Sequence, residues 1–88
     1  MNYLKAIFWD YPQFTNARFL LKTLRNYKNK GIYNWILARF LEHGRAVDTF
    51  RYFSPDELKE KIDAVKISTY NRRKWKRLIE IYANTERK

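Results

Sequence analysis

The spacing of large apolar side chains in residues 32–43 constrains the fold of this chain most. These side chains recur every three or four positions, which places them on one wide face of an α-helix. They are Tyr33, Ile36, Leu37, Phe40 and Leu41. Gly44 follows where a helix commonly ends, because glycine enters the left-handed conformation without a Cβ penalty. The pattern therefore predicts a central buried helix that ends at a glycine turn.

A short helix and then the capped start of another helix are predicted after this turn. A short apolar stripe comes first, made of Val47, Phe50 and Phe53. Ser54 then provides an N-cap, Pro55 suits the first helical position, and Glu57 completes a capping box. The residues expected on the buried side of this helix are Leu58, Ile62 and Val65. A capped amphipathic helix is therefore predicted from residue 55 onward.

The N-terminal residues 3–9 form a short aromatic segment. A segment of this length is not stable as an isolated helix in water. We therefore expect Phe8 and Trp9 to anchor it to the core, although an exposed Trp9 would also suit base stacking. Pro12 biases Tyr11 toward an extended conformation, so any helix should end before it.

Residues 16–31 predict a second helix, capped by Thr15 or Asn16 and ended by Gly31. Its apolar side consists of Ala17, Leu20, Leu21, Leu24 and Tyr27. Lys28 and Lys30 lie near its predicted end, where the negative pole of the helix dipole favours cations. These two lysines therefore need no functional explanation.

A last helix is predicted after Ser68, which is placed as its N-cap. The side chains expected on its buried face are Trp75, Leu78, Ile79 and Tyr82. The polar tail, residues 84–88, is expected to fray. Because no stretch alternates as a strand does, the sequence predicts a single all-α domain of residues 1–88 with about five helices.

Two groups of cations occupy predicted exposed faces. Arg18, Lys22 and Arg25 follow one another at helical spacing, and their helix contains no acid to neutralise them. Five more cations surround Trp75, namely Arg72, Arg73, Lys74, Lys76 and Arg77. They lie in the first half of the last helix, where the positive pole disfavours each by about a few tenths of a kcal/mol. This arrangement indicates an anion-binding site; alternatively, the long stems only cover the aromatic core.

The composition indicates a negatively charged partner. The chain has 19 Lys and Arg residues against nine Asp and Glu residues, a formal net charge of +10. Such an excess is typical of nucleic-acid-binding proteins, and less often of proteins that bind an acidic protein or a lipid surface. Cysteine is absent, which excludes thiolate chemistry and disulfides and is consistent with the cytoplasm. No segment has the length of a membrane helix or the features of a signal peptide.

No catalytic constellation is visible in the sequence. The lone His43 lies at a predicted helix end, where the helix dipole favours it and a structural role is usual. No second histidine, phosphate-binding glycine loop or nucleophile motif accompanies it. We therefore expect a protein that is not an enzyme and that requires no metal or cofactor.

Several landmarks together resemble a family of short bacterial helical proteins of unknown function. They are residues 7–10, residues 39–44, Asp48, the helix containing Glu57 and Leu58, residues 67–68 and Trp75. Genes of that family often lie beside genes of abortive-infection-type nucleotidyltransferase toxins. The basic residues 16–30 look like an enlargement relative to the family, and Thr49 with Phe50 stand where it tends to have tryptophan. The resemblance implies a helical fold and an accessory or antitoxin-like role, and it carries over no binding residue.

These observations support two main hypotheses. The first is a small nucleic-acid-binding regulator whose two cationic helix faces lie outward together and contact phosphates. The second is a protein-interaction module, such as an antitoxin, that binds an acidic protein partner. A helix-turn-helix around Gly44 and an amphipathic membrane-surface protein are further alternatives. The sequence leaves the choice between DNA and RNA and the oligomeric state open.

Overall fold

Helices are the only regular secondary structure in the computed structural model, which describes residues 3–27 and 31–86, with side chains up to residue 82. The helices are α1 (Tyr3–Ile7), a 3₁₀ turn (Pro12–Thr15), α2 (Ala17–Asn26), α3 (Gly31–His43), α4 (Ala46–Thr49), α5 (Pro55–Lys61) and α6 (Thr69–Glu86). The predicted all-α architecture is confirmed.

Helix α3 occupies the centre of the structure. All five apolar residues predicted for its buried face are less than 4% exposed, so that prediction is confirmed. Helices α1 and α6 both pack against α3, and α5 packs against α6. One hydrophobic cluster extends through all of these helices. Most of the aromatic residues contribute to it, which is how a chain of this size buries a large apolar area.

Gly44 ends α3 for a different reason from the predicted one. Its backbone is not in the left-handed conformation. A Cβ atom at this position would instead lie 2.7 Å from the carbonyl oxygen of Phe40 and 3.1 Å from the side chain of Ile7. Glycine is therefore required because the backbone passes close to the end of α3 and to α1.

Helix α2 is shorter than predicted. The Oδ1 atom of Asn16 accepts a hydrogen bond from the N–H group of Phe19, so Asn16 is the cap. The helix ends at Asn26, whereas Gly31 begins α3; the prediction that Gly31 ends α2 was wrong. The predicted lysines 28 and 30 lie outside the described residues. The buried side chains of α2 are Leu20, Thr23 and Leu24, because it packs mainly against the short 3₁₀ turn.

The segment after Gly44 confirms one prediction and corrects another. Ser54 and Glu57 form the predicted capping box of α5, and Leu58, Ile62 and Val65 are buried as expected. Val47, however, is mostly exposed, and α4 buries Asp48 and Thr49 instead. Helix α4 is a single turn of four residues. It therefore provides no recognition helix of the kind that the helix-turn-helix alternative requires.

Helix α6 begins as predicted and continues further than expected. The Oγ atom of Ser68 accepts a hydrogen bond from the N–H group of Asn71, and Trp75 and Ile79 are buried. The helix extends to Glu86, into the predicted tail, of which residues 87–88 lie outside the described residues. Among the helices of residues 3–27 and 31–86, none combines the length and apolar character needed to cross a membrane.

Candidate nucleic-acid interface

The three cations predicted for α2 share one exposed face. Arg18, Lys22 and Arg25 line a shallow depression together with Leu21 and Asn26. No carboxylate of the described residues forms an ion pair with any of the three cations. The sequence explains this isolation, because residues 11–41 contain neither Asp nor Glu. We call Arg18, Lys22 and Arg25 the α2 face.

Two of the five cations predicted for α6 have partners within the protein. The guanidinium of Arg72 donates hydrogen bonds to the carbonyl oxygens of Ile62 (3.3 Å) and Val65 (2.8 Å). These carbonyls follow the end of α5, so Arg72 joins α5 to α6. The ammonium of Lys76 lies 2.8 Å from Asp63, and its hydrogen bond lowers the pKa of that carboxyl group. Arg72 is therefore part of the junction between α5 and α6, whereas Lys76 and Asp63 form an ion pair at the surface.

The other three predicted cations of α6 have no partner of this kind. Arg73, Lys74 and Arg77 are exposed, and within the described residues no carboxylate pairs with them. The Lys74 ammonium lies above the ring of Tyr70, 6.0 Å from its centroid. We call Arg73, Lys74 and Arg77 the α6 face.

The two faces belong to helices with different neighbours. Helix α2 packs against the 3₁₀ turn, whereas α6 packs against α3 and α5. No hydrogen bond, ring contact or ion pair between described side chains joins α2 to α6. Each cationic face is therefore formed by a single helix. Only the α2 face lies in a segment of the chain that contains no acid.

A third group of side chains surrounds Arg39 of α3. Its guanidinium donates to the carbonyl oxygen of Ile7 through Nε (3.1 Å) and Nη2 (2.7 Å), and it pairs with Asp10 at 2.6 Å. The same guanidinium lies over the ring of Trp9, 4.4 Å from its centroid. Arg39 thereby fixes the chain that follows α1, and the contact with Trp9 adds a cation–π interaction.

Phe8 and Trp9, which were both predicted to anchor α1 to the core, differ in their exposure. Phe8 is fully buried, as predicted, but Trp9 remains 59% exposed. The prediction that Trp9 anchors α1 in the core was therefore wrong. Its only ring neighbour among the described residues is His43, which meets it edge-on at 4.9 Å. His43 is itself exposed, so this contact lies at the surface of the protein.

The Arg39 guanidinium, which lies over Trp9, is also 5.8 Å from the ring centroid of Tyr11, where a series of ring contacts toward α2 begins. Ring contacts connect Tyr11 to Trp35 (4.9 Å), Trp35 to Phe14 (5.9 Å) and Phe14 to Phe19 (5.5 Å). Tyr11 is 38% exposed and Phe19 is 45% exposed, whereas Phe14 is buried. We call the exposed rings of Trp9, Tyr11 and Phe19 the aromatic strip.

The sequence-based predictions assigned no binding role to Tyr11 or Phe19. A signal for Phe19 was present, because it falls outside the helical set formed by Leu20, Thr23 and Leu24. It also lies one residue from Arg18 and three residues from Lys22, which places it beside the α2 face. The exposure of Tyr11 depends on how the chain leaves α1 and has no comparable local signal.

Hydrogen bonds at the end of α3 join it to α6. The carboxylate of Glu42 accepts hydrogen bonds from the Ser68 N–H group and the Asn71 side-chain amide, both at 2.6 Å. The indole Nε1–H of Trp75 donates to the carbonyl oxygen of Leu41 at 2.7 Å. Together with Arg39, these contacts hold α1 and α6 on α3. Residues 39–44 therefore form a structural framework.

Two buried titratable side chains, those of Asp48 and Tyr33, also have partners within the protein. Asp48 is only 3% exposed, and its carboxylate lies 3.1 Å from Arg45 and 3.7 Å from Arg51. The Tyr33 hydroxyl donates to Glu57 at 2.7 Å, and burial together with this hydrogen bond raises the pKa of Tyr33. In the described part of the chain, no group of three or more His, Asp and Glu side chains is placed to hold a metal ion.

Comparisons with known proteins add no relative to this description. Protein-family models, curated proteins and solved structures were all compared with the chain, and none of them matches it.

Proposed function

We propose that this protein is a small nucleic-acid-binding regulator that contacts phosphate groups through the α2 and α6 faces. The observation that carries the proposal is the α2 face, three exposed cations on one side of a helix in a segment without acids. Unpaired cations at this spacing match the repeating negative charge of a nucleic-acid backbone. Contacts of this kind supply affinity and orientation, and they do not read the base sequence.

The α6 face supports the same function to a smaller extent. Arg72 and Lys76 are engaged within the protein, so three of the five predicted cations remain to contact a ligand. Arg73 with Arg77 and Lys74 with Arg77 are like-charge pairs at helical spacing, which is unfavourable in the free protein. A bound polyanion would relieve this cost.

An acidic protein partner is the alternative, in keeping with the resemblance to proteins encoded beside nucleotidyltransferase toxins. The same cationic faces would then meet carboxylates, and the function would be that of an antitoxin-like accessory protein. The two functions differ in the geometry of the charges they require. Phosphates follow one another at regular spacing along a strand, which fits a row of cations along one helix better than scattered carboxylates do.

Binding to labelled nucleic acid at several salt concentrations tests the proposal. The logarithm of the binding constant should fall linearly with the logarithm of the salt concentration. Polyglutamate of equal total charge provides the comparison for an acidic protein. Tighter binding of polyglutamate than of nucleic acid, or a flat salt response, would contradict nucleic-acid binding.

Two triple variants with the same loss of charge make the test specific. Arg18→Gln, Lys22→Gln and Arg25→Gln together should reduce the salt slope by about two to three units, because each phosphate contact contributes about 0.7–0.9. Lys5→Gln, Lys59→Gln and Lys66→Gln remove three exposed lysines that lie outside both faces. This control should change the slope much less; an equal change would mean that only the net charge matters.

A further inference from the structure

Phosphate binding does not require the exposed rings of the aromatic strip. Trp9, Tyr11 and Phe19 are 59%, 38% and 45% exposed, and Phe19 lies beside the α2 face. Phe14 and Trp35, to which Tyr11 and Phe19 are joined by ring contacts, hold these two rings in fixed positions. Arg39 holds Trp9 in the same way. The strip is thus a preorganised apolar surface that remains open to solvent.

This surface discriminates between the two forms of nucleic acid. In a duplex the bases are stacked on one another, so their faces are inaccessible to aromatic side chains. In a single strand the bases can be splayed out and stacked on exposed rings while cations hold the backbone. A row of cations beside a row of exposed rings is the arrangement that single-strand binding uses.

From this juxtaposition we infer that the α2 face and the aromatic strip together bind single-stranded nucleic acid. The phosphates lie along Arg18, Lys22 and Arg25, and unpaired bases stack on Phe19, Tyr11 and Trp9. Neither stacking nor phosphate contact involves the 2′-hydroxyl group, so RNA and DNA strands bind about equally. The inference deepens the proposed function and rests on it.

A hydrophobic protein partner is the competing occupant of the strip. The charge beside the strip argues against it, because residues 11–41 have no acid and their described cations on α2 are unpaired. A protein partner that covered both the α2 face and the aromatic strip would have to present acidic and apolar side chains side by side. Every nucleotide of a polynucleotide is both acidic and apolar, since it carries one phosphate and one flat base.

The first experiment compares three ligands of equal length, oligo-U, oligo-dT and a duplex of mixed sequence, by fluorescence anisotropy. Both single strands should bind at least about fivefold more tightly than the duplex, which is the contribution of about one stacked base. The two single strands should agree within about threefold, because the contacts ignore the sugar. A duplex that binds as tightly as the single strands overturns the inference but leaves the proposed function intact. Failure of all three ligands to bind at low salt overturns both.

The second experiment removes the rings one at a time. Phe19→Ala and Trp9→Ala should each weaken oligo-U binding about fivefold or more, while duplex binding changes by less than about twofold. Trp9→Phe keeps a ring and should retain the affinity of the unchanged protein, even if Trp9→Ala perturbs the contact with Arg39. Val47→Ala is the control, because Val47 is an exposed apolar residue of α4 that lies outside both cationic faces and the aromatic strip. An unchanged oligo-U affinity in Phe19→Ala, or an equal loss in Val47→Ala, overturns the inference.

Discussion

Gly31 and Gly44 show how one residue type serves different purposes in the same chain. Gly31 is the first residue of α3, and an added Cβ atom would meet nothing within 4 Å. At Gly44 the same atom would lie 2.7 Å from the Phe40 carbonyl oxygen. The two glycines are indistinguishable as helix-ending signals in the sequence. Only their surroundings show that one is replaceable and the other is not.

The pair gives a direct test of this difference. Gly44→Ala should lower the free energy of unfolding by about 1–3 kcal/mol, because backbone atoms must shift to admit the Cβ atom. Gly31→Ala should leave it unchanged or raise it by up to about 1 kcal/mol, since alanine favours the helical conformation. Urea unfolding followed by circular dichroism measures both. A destabilised Gly31→Ala variant, or a Gly44→Ala variant as stable as the original, would contradict the close approach at Gly44.

At the scale of helices, the parts predicted correctly are those whose signals are local. The buried face of α3 follows from spacing alone, and the start of α5 follows from the cap at Ser54 and Glu57. The end of α2, the exposure of Trp9 and the tethering of Arg72 depend on which elements pack against them. The sequence therefore locates the cations of the candidate site but cannot distinguish Arg72, which bonds to backbone carbonyls, from Arg73, which is exposed.

The contact between α3 and α5 should make stability sensitive to high pH. Burial and the hydrogen bond to Glu57 raise the pKa of Tyr33 in the folded protein above its ordinary value of 10.0. Above that pH the unfolded chain loses the tyrosine proton while the folded chain keeps it, so the free energy of unfolding falls as pH rises. Tyr33→Phe removes this contribution along with the hydrogen bond, which is worth about 0.5–1.5 kcal/mol.

Urea unfolding at pH 8 and pH 11 tests this expectation. At pH 8 the original protein should be more stable than Tyr33→Phe, and the difference should shrink at pH 11. Deprotonation of lysines affects both proteins and is removed by the comparison. Tyr70→Phe removes an exposed hydroxyl on α6 and is the control for the substitution itself. A stability difference for Tyr33→Phe that stays constant with pH would mean that Tyr33 ionises alike in the folded and unfolded states.

At the scale of the whole molecule, positive charge is unevenly distributed. The formal net charge is +10, and every acid lies outside residues 11–41. The described ion pairs use Asp10, Asp48 and Asp63, so they stabilise α1, α4 and the junction of α5 with α6. They leave α2 without compensation. The described ion pairs therefore lie around α3, whereas α2 and α6 each carry three cations without an acidic partner, and only those of α2 lie in a segment without acids.

This imbalance predicts that salt stabilises the folded protein. Repulsion among like charges opposes the compact state, and added NaCl screens it. On α2, Arg18 with Lys22 and Lys22 with Arg25 form two like-charge pairs at helical spacing, which together cost about 0.5–1 kcal/mol at low salt. The free energy of unfolding, measured with urea, should therefore rise between 20 mM and 300 mM NaCl.

Replacing Arg18, Lys22 and Arg25 by glutamine should raise the free energy of unfolding at low salt and flatten its salt dependence. The Lys5, Lys59 and Lys66 triple variant loses the same charge from regions that contain acids, so it should gain less. An equal gain in both variants would place the repulsion in the net charge of the whole molecule, and a stability that falls with salt would show that the ion pairs around α3 outweigh the repulsion on α2.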